Sequence, residues 1–165
     1  MTLSTIQPDA PSPGLAAPVG MISPILLVED NPMDADLTLR AFAKRKFANP
    51  VHLARDGEEA LAWLPRWEAG EPTPLVILLD LKLPRVSGLE FLRRIKADKR
   101  WCNIPVVVLT SSTDDLDISS AYQLGANSYI VKPVDFDKFM DVATQIEVYW
   151  CALNQPPCIG RSSRS

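Results

Sequence analysis

The chain has 165 residues, 47% of them apolar and 22% charged, enough for one folded domain with tails and too few for two ordinary domains. Its net charge of −3, with Lys and Arg scattered, gives no basic face for nucleic acid or an anionic membrane. No apolar run approaches a membrane span. The first residues lack a signal peptide's basic and apolar regions, and the unpaired spacing of Cys102, Cys151 and Cys158 favours reduced thiols in the cytoplasm.

Residues 1–22 are rich in Pro, Gly, Ala and Ser, a composition that opposes helix and core alike, so they are expected to form a disordered tail. Strand and helix patterns then alternate five times through residues 23–153. Ile25–Glu29 reads as the first strand, followed by a helix over 33–46. Val51–Ala54 is the second strand, with a helix over 57–64 that should stop or kink near Pro65. Leu75–Leu79 is the third, leading to a helix over 88–98 whose Leu89, Leu92 and Ile95 recur at helical spacing. Val106–Leu109 precedes a helix over 114–124. Ser128–Val131 precedes a helix over 135–152, with Asp135 as its start signal and Phe136, Phe139, Ala143 and Ile146 as its inward stripe. Residues 154–165, with Pro156, Pro157 and a Ser/Arg mixture, read as a second flexible tail.

Most of the strands are nearly continuous apolar runs, as expected of strands buried on both faces. Repeated β–α units of this length predict an α/β fold with a doubly wound, five-stranded parallel sheet and five helices. The expected strand order is the flavodoxin-like 2-1-3-4-5.

In that order, the first and third strands flank the crevice where open α/β sheets bind ligands. Glu29 and Asp30 close the first strand and Asp80 the third; Thr110 and Lys132 follow the fourth and fifth. Three carboxylates this close repel one another unless a cation neutralises them. All-oxygen ligation suits a hard ion such as Mg²⁺, or Mn²⁺ in its place. That ion and Lys132 would offset the charge of a phosphoryl group, and Asp80 is the natural nucleophile to receive one as an aspartyl-phosphate.

The runs ILLVEDNP (25–32), LLDLKLPRVSGLEFL (78–92) and VVVLTSS (106–112), with the pair Lys132–Pro133, resemble the receiver domains of two-component response regulators. The resemblance spans nearly the whole folded part, and the spacing from Asp80 to Thr110 to Lys132 agrees with it. It implies Asp80 as phosphoacceptor, with Asp30 and Asp80 binding Mg²⁺ directly, the backbone carbonyl of Lys82 completing the ligands and Glu29 acting beside a metal-bound water. It implies that Lys132 pairs with the phosphoryl group and Thr110 hydrogen-bonds it. It also implies that Tyr129 turns inward when Thr110 moves, that Lys82 and Ser112 tune the phosphate's lifetime, and that the bond before Pro133 is cis.

The implied function is a single-domain response regulator, phosphorylated by a sensor histidine kinase and signalling by protein contact rather than by enzymatic turnover; a phosphorelay shuttle is the near alternative. The run VEDNPMDADL and the broad last helix resemble the subgroup serving phytochrome-type kinases. Apolar residues beyond one buried face (Ile118, Tyr122, Val142, Ile146, Tyr149 and Trp150) suggest a homodimer through the fourth helix, fifth strand and fifth helix. A flavodoxin-like electron carrier would need a phosphate-cradling loop where the acidic EDNPMD stands. An aspartyl phosphatase resembling known ones would carry a second Asp at position 82, where Lys stands. His52 carries no expected role, Trp63 and Trp67 should cover a helix edge, and Cys102 reads as a loop thiol.

Overall fold

The computed structural model describes residues 22–44 and 48–156. The tails expected at residues 1–22 and 154–165 therefore lie mostly outside the described residues, Cys158 included. Five strands, β1 (Ile25–Val28), β2 (Val51–Ala54), β3 (Val76–Leu79), β4 (Val106–Thr110) and β5 (Ser128–Val131), form one parallel sheet in the order β2-β1-β3-β4-β5.

The apolar runs are explained by helices on both faces. Because strand residues alternate faces, Ile25 and Leu27 of β1, Val76 and Leu78 of β3, and Val107 and Leu109 of β4 pack on one side. There they meet α1 (Pro32–Lys44) and α6 (Phe136–Glu147) through Ala41, Phe42, Phe139 and Ala143. Leu26, Val28, Ile77, Leu79, Val106 and Val108 face the other side. Their partners are Ala60 of α2 (Gly57–Leu61), Trp67 of α3 (Trp63–Glu68), Phe91, Leu92 and Ile95 of α4 (Gly88–Ala97), and Ala121 of α5 (Asp115–Gln123). The central strands β1, β3 and β4 are buried throughout, while the edge strands β2 and β5 are half-covered.

Most helices begin where a side chain accepts an otherwise unpaired backbone N–H. Asp56 accepts from Glu59 N, Ser87 from Glu90 N, Asp114 from Leu116 N and Asp135 from Lys138 N. Asn31 does the same for α1, its Oδ1 accepting from Met33 N at 2.9 Å and Asp34 N at 3.3 Å.

One local expectation is located and two are corrected. The stop or kink expected near Pro65 comes at Ala62, three residues before it, and the helix resumes as α3, so α2 and α3 together make one bent helix. Pro65 is tolerated because it lies in the first turn of α3, where its missing N–H would have had no partner. The last helix also ends early, at Glu147, and continues as a wider π-type turn, Val148–Leu153. Phe136, expected to point inward, is exposed at the first position of α6; the buried positions are Phe139, Met140, Ala143, Ile146 and Glu147.

Candidate functional site

The candidate site lies at the carboxyl ends of the strands, and the sheet itself places its residues. Glu29, Asp80 and Lys132 each follow the last residue of a strand, yet their backbone N–H groups still pair with the neighbouring strand. Glu29 N donates to Ala54 O at 2.9 Å, Asp80 N to Val28 O at 3.0 Å and Lys132 N to Thr110 O at 2.7 Å. The side chains are therefore fixed by an extension of the ladder rather than by loose loops.

Carboxylate oxygens of Glu29, Asp30 and Asp80 lie within 4.8 Å of one another. The Lys132 ammonium donates to Glu29 Oε2 at 2.5 Å, to Asp80 Oδ2 at 2.9 Å and to Asp34 Oδ2 at 2.9 Å. Asp80 Oδ1 accepts from Thr110 Oγ1 at 2.8 Å and from the Lys82 backbone N–H at 3.2 Å. Glu29 Oε1 accepts from Asn31 N at 3.1 Å.

These contacts divide the two buried acids. Burial, with the Asp80 charge adding to it, pushes Glu29 up to about 7, and Lys132 only partly offsets this. Burial acts on Asp80 in the same direction. There the hydrogen bond and charge of Lys132, with the bonds from Thr110 and Lys82, win and hold the carboxyl below its ordinary value. Burial alone would lower Lys132, but bonds to Glu29, Asp80 and Asp34 raise it well above the usual lysine range. Asp80 is thus a ready anion beside a fixed cation.

The loop after Asp80 is held by close packing. A Cβ on Gly88 would stand 2.3 Å from Asp80 O and 2.6 Å from Leu81 Cα, so only glycine lets α4 start this near the acid. The same loop contains Arg85 at φ 65°, whose guanidinium pairs with buried Asp56 at 3.0 Å.

A model of the response regulator receiver domain matches residues 25–144. The chain belongs to that family. Receiver domains are signalling modules that bind divalent metal ions and pair with sensor kinases. The chain is 44% identical over 134 residues to the probable methanogenesis regulatory protein FilR2 of Methanothrix harundinacea, covering 81% of this chain and 86% of FilR2. It is 36% identical over 128 residues to the response regulator Rcp1 of Synechocystis, covering 76% and 87%. The Mn²⁺-bound form of Rcp1 superposes with a TM-score of 0.77 at 34% identity, over 82% of this chain and 99% of Rcp1. The phosphorylated cyanobacterial phytochrome response regulator RcpA superposes at 0.78 and 37% identity, over 83% and 99%.

Against this receiver frame, the expected residues Glu29, Asp30, Asp80, Thr110 and Lys132 converge. Lys82 reaches Asp80 through its backbone N–H while its side chain is exposed. Ser112 is buried and turned away: its hydroxyl donates to Asp117 Oδ2 at 2.6 Å and accepts from Asp114 N at 3.3 Å. The Tyr129 phenol donates to Ser112 O at 3.0 Å, tying β5 to the loop after Thr110. The Lys132–Pro133 bond is trans, contrary to the cis expectation. X–Pro bonds retain a trans preference of about 0.5–1 kcal/mol, and nothing in this turn reverses it.

Sequence reasoning missed Asp34 and Asp117. Both lie in first helical turns, where an acid is ordinarily read as helix-end electrostatics.

Of the expected interface residues, Tyr122 and Tyr149 are about half exposed, and Ile118 and Trp150 are partly so. Val142 packs against the core, and Ile146 is buried within it and has little to offer a partner. A groove of about 880 Å³ between the amino ends of β4 and β5 and the end of α6 shares no residue with the carboxylate site. His52, assigned no role, stacks on Trp63 at 4.4 Å beneath the Arg66 guanidinium. No helix among the described residues is long and apolar enough to cross a membrane.

Proposed function

We propose that this receiver accepts a phosphoryl group on Asp80 from a sensor histidine kinase in the cytoplasm and signals by protein contact. The observation that carries the reading is the Asp80 carboxylate, held anionic between Lys132 and Thr110 and within 4.8 Å of two further acids. An Asp80 oxygen attacks phosphorus and forms the new P–O bond as the bond to the donor's imidazole nitrogen breaks, and that nitrogen keeps the electron pair. Lys132 then pairs with the phosphoryl oxygens and Thr110 donates its hydroxyl hydrogen to one of them.

The hard-oxygen donor set of Asp30, Asp80 and the Lys82 carbonyl, with Glu29 beside it, fits Mg²⁺ or Mn²⁺. The ion would supply further positive charge against the transferring group. The Mn²⁺-bound Rcp1 neighbour supports that metal assignment, and the phytochrome regulator RcpA supports a phytochrome-type kinase as partner. Tyr129, already bonded to Ser112 O, is the residue that reports movement of Thr110 to the surface of β5. The exposed Lys82 side chain is placed to shield the phosphate from water, whereas Ser112 acts on its lifetime only by way of the loop it holds through Asp117.

A homodimer through α5, β5 and α6 is supported by exposed Tyr122, Val131 and Phe136 on these elements and by Tyr149 in the turn that continues α6. Light scattering with and without beryllofluoride measures it, and a monomer under both conditions at high protein concentration counts against it. The central test is intact mass after incubation with acetyl phosphate and Mg²⁺. Wild type should gain one phosphoryl group; Asp80→Asn, and wild type in EDTA, should gain none. An unmodified wild type would overturn the assignment.

A further inference from the structure

We propose that Asp34 is a positioning residue that competes with the phosphoryl group for Lys132. The proposal rests on Asp80 being the phosphoacceptor and goes beyond it by naming what the phosphoryl group must displace. An ammonium has three N–H donors. In this structure Glu29, Asp80 and Asp34 accept all three, at 2.5, 2.9 and 2.9 Å. A phosphoryl group on Asp80 that bonds Lys132 must take one of these donors from its present acceptor.

The three acceptors are not equally easy to displace. The Glu29 and Asp80 side chains are 3% and 8% exposed, so losing Lys132 would strand a buried carboxylate at Glu29 and, at phosphorylated Asp80, a buried carbonyl oxygen without its donor. Asp34 is 29% exposed, and water can replace the ammonium at its oxygen. It stands in the first turn of α1, outside the acidic trio, where the helix's unpaired N–H groups also favour its charge. Asp34 is therefore the acceptor that yields. While bound, it opposes phosphorylation twice, by occupying an N–H of Lys132 and by placing a negative charge beside the incoming one.

The test is the affinity for beryllofluoride, a phosphoryl mimic, at saturating Mg²⁺. Wild type, Asp34→Ala, Asp34→Asn and Asp36→Asn are compared by intrinsic fluorescence, with urea midpoints to verify folding. Asp36 is on the same helix, 55% exposed and paired with Arg40, so its neutralisation changes net charge equally without touching Lys132. Binding should tighten about tenfold in Asp34→Ala, the scale of one charge-assisted hydrogen bond. Asp34→Asn should tighten less, because its amide oxygen still accepts, and Asp36→Asn should stay within about twofold of wild type. Equal or weaker binding in both Asp34 variants would overturn the proposal, as would equal tightening in Asp36→Asn, which would reduce the effect to net charge. Failure of wild type itself to bind beryllofluoride would overturn the phosphoacceptor reading instead.

Discussion

Replacing Lys132 with Met shortens the side chain only by its terminal atom and removes its charge. Three carboxylates then lose their common partner, and two of these, Glu29 and Asp80, are almost fully buried. Removing one partner of a buried ion pair costs about 3–5 kcal/mol. The loss must also grow with pH. Glu29 has an ordinary value of 4.5 and a native value of about 7, so the native state holds its proton longer than the unfolded chain. Wild-type stability due to Glu29 therefore falls as pH rises from 4.5 to 7 and levels off above. Without Lys132 the native value moves above 7, and the variant keeps losing about 1.4 kcal/mol per pH unit where wild type is flat. Asp80, no longer held down by the ammonium, adds a slope of the same sign at lower pH. Urea unfolding followed by tryptophan fluorescence from pH 5 to 8 measures this, with Trp67 and Trp101 as buried reporters. The gap between the two proteins should widen with pH and narrow on adding Mg²⁺, which supplies positive charge to the same acids. A gap independent of pH and Mg²⁺ would show that Lys132 acts through packing, and the electrostatic account would fail.

If Glu29 must be ionised to support a metal, Mg²⁺ binding below pH 7 displaces its proton. Calorimetric affinity should fall by up to about tenfold per pH unit below 7, level off above, and lose this dependence in Glu29→Gln. Gly88→Ala puts a methyl group into the backbone of Asp80 and Leu81. It should lower stability by about 1–3 kcal/mol in chemical denaturation and weaken Mg²⁺ binding too, because the displaced backbone carries the acid; an unchanged Mg²⁺ affinity would separate α4 from the site. Burial, with the Glu147 charge adding to it, pushes the Cys151 thiol up to about 11 from 9. Its alkylation at pH 8, followed by peptide mass, should therefore run about a hundredfold slower in the folded than in the urea-unfolded protein. Stability due to this thiol should decline between pH 9 and 11, since the unfolded chain releases its proton first.

The architecture was legible because burial on both faces leaves a plain mark. Strands such as Val76–Leu79 contain no polar residue at all, and the first charged residue after β1 and after β3 falls where the sheet ends. Asp80 and Glu29 could be found on that ground alone. What stayed hidden depends on side-chain direction. Asp34 looks like any first-turn acid until α1 is seen to aim it at Lys132, and Ser112 looks available to the phosphate until Asp117 is seen to hold it. The exposure of Phe136 and the break at Ala62 are likewise set by how α6 and the bent helix α2–α3 seat on the sheet, which periodicity does not encode.

The site is built so that its charges cannot relax apart. Three acids, Glu29, Asp34 and Asp80, share one ammonium, and a fourth, Asp30, lies within 4.8 Å of Glu29 and Asp80. Glu29 and Asp80 are pinned through backbone bonds that continue the β-ladder, above two apolar clusters able to bear the strain. A phosphoryl group adds negative charge to this arrangement, and the backbone at those positions cannot move to accommodate it. Adjustment must fall on the groups whose side chains, not backbones, make the contact: Lys132 with Asp34 on α1, and Thr110 with the Ser112–Asp117–Tyr129 set on α5 and β5. On the proposed reading, a phosphoryl group at this site would act through two side-chain contacts. One would lead to α1 through Asp34, and the other to the α5–β5 face through Asp117 and Tyr129.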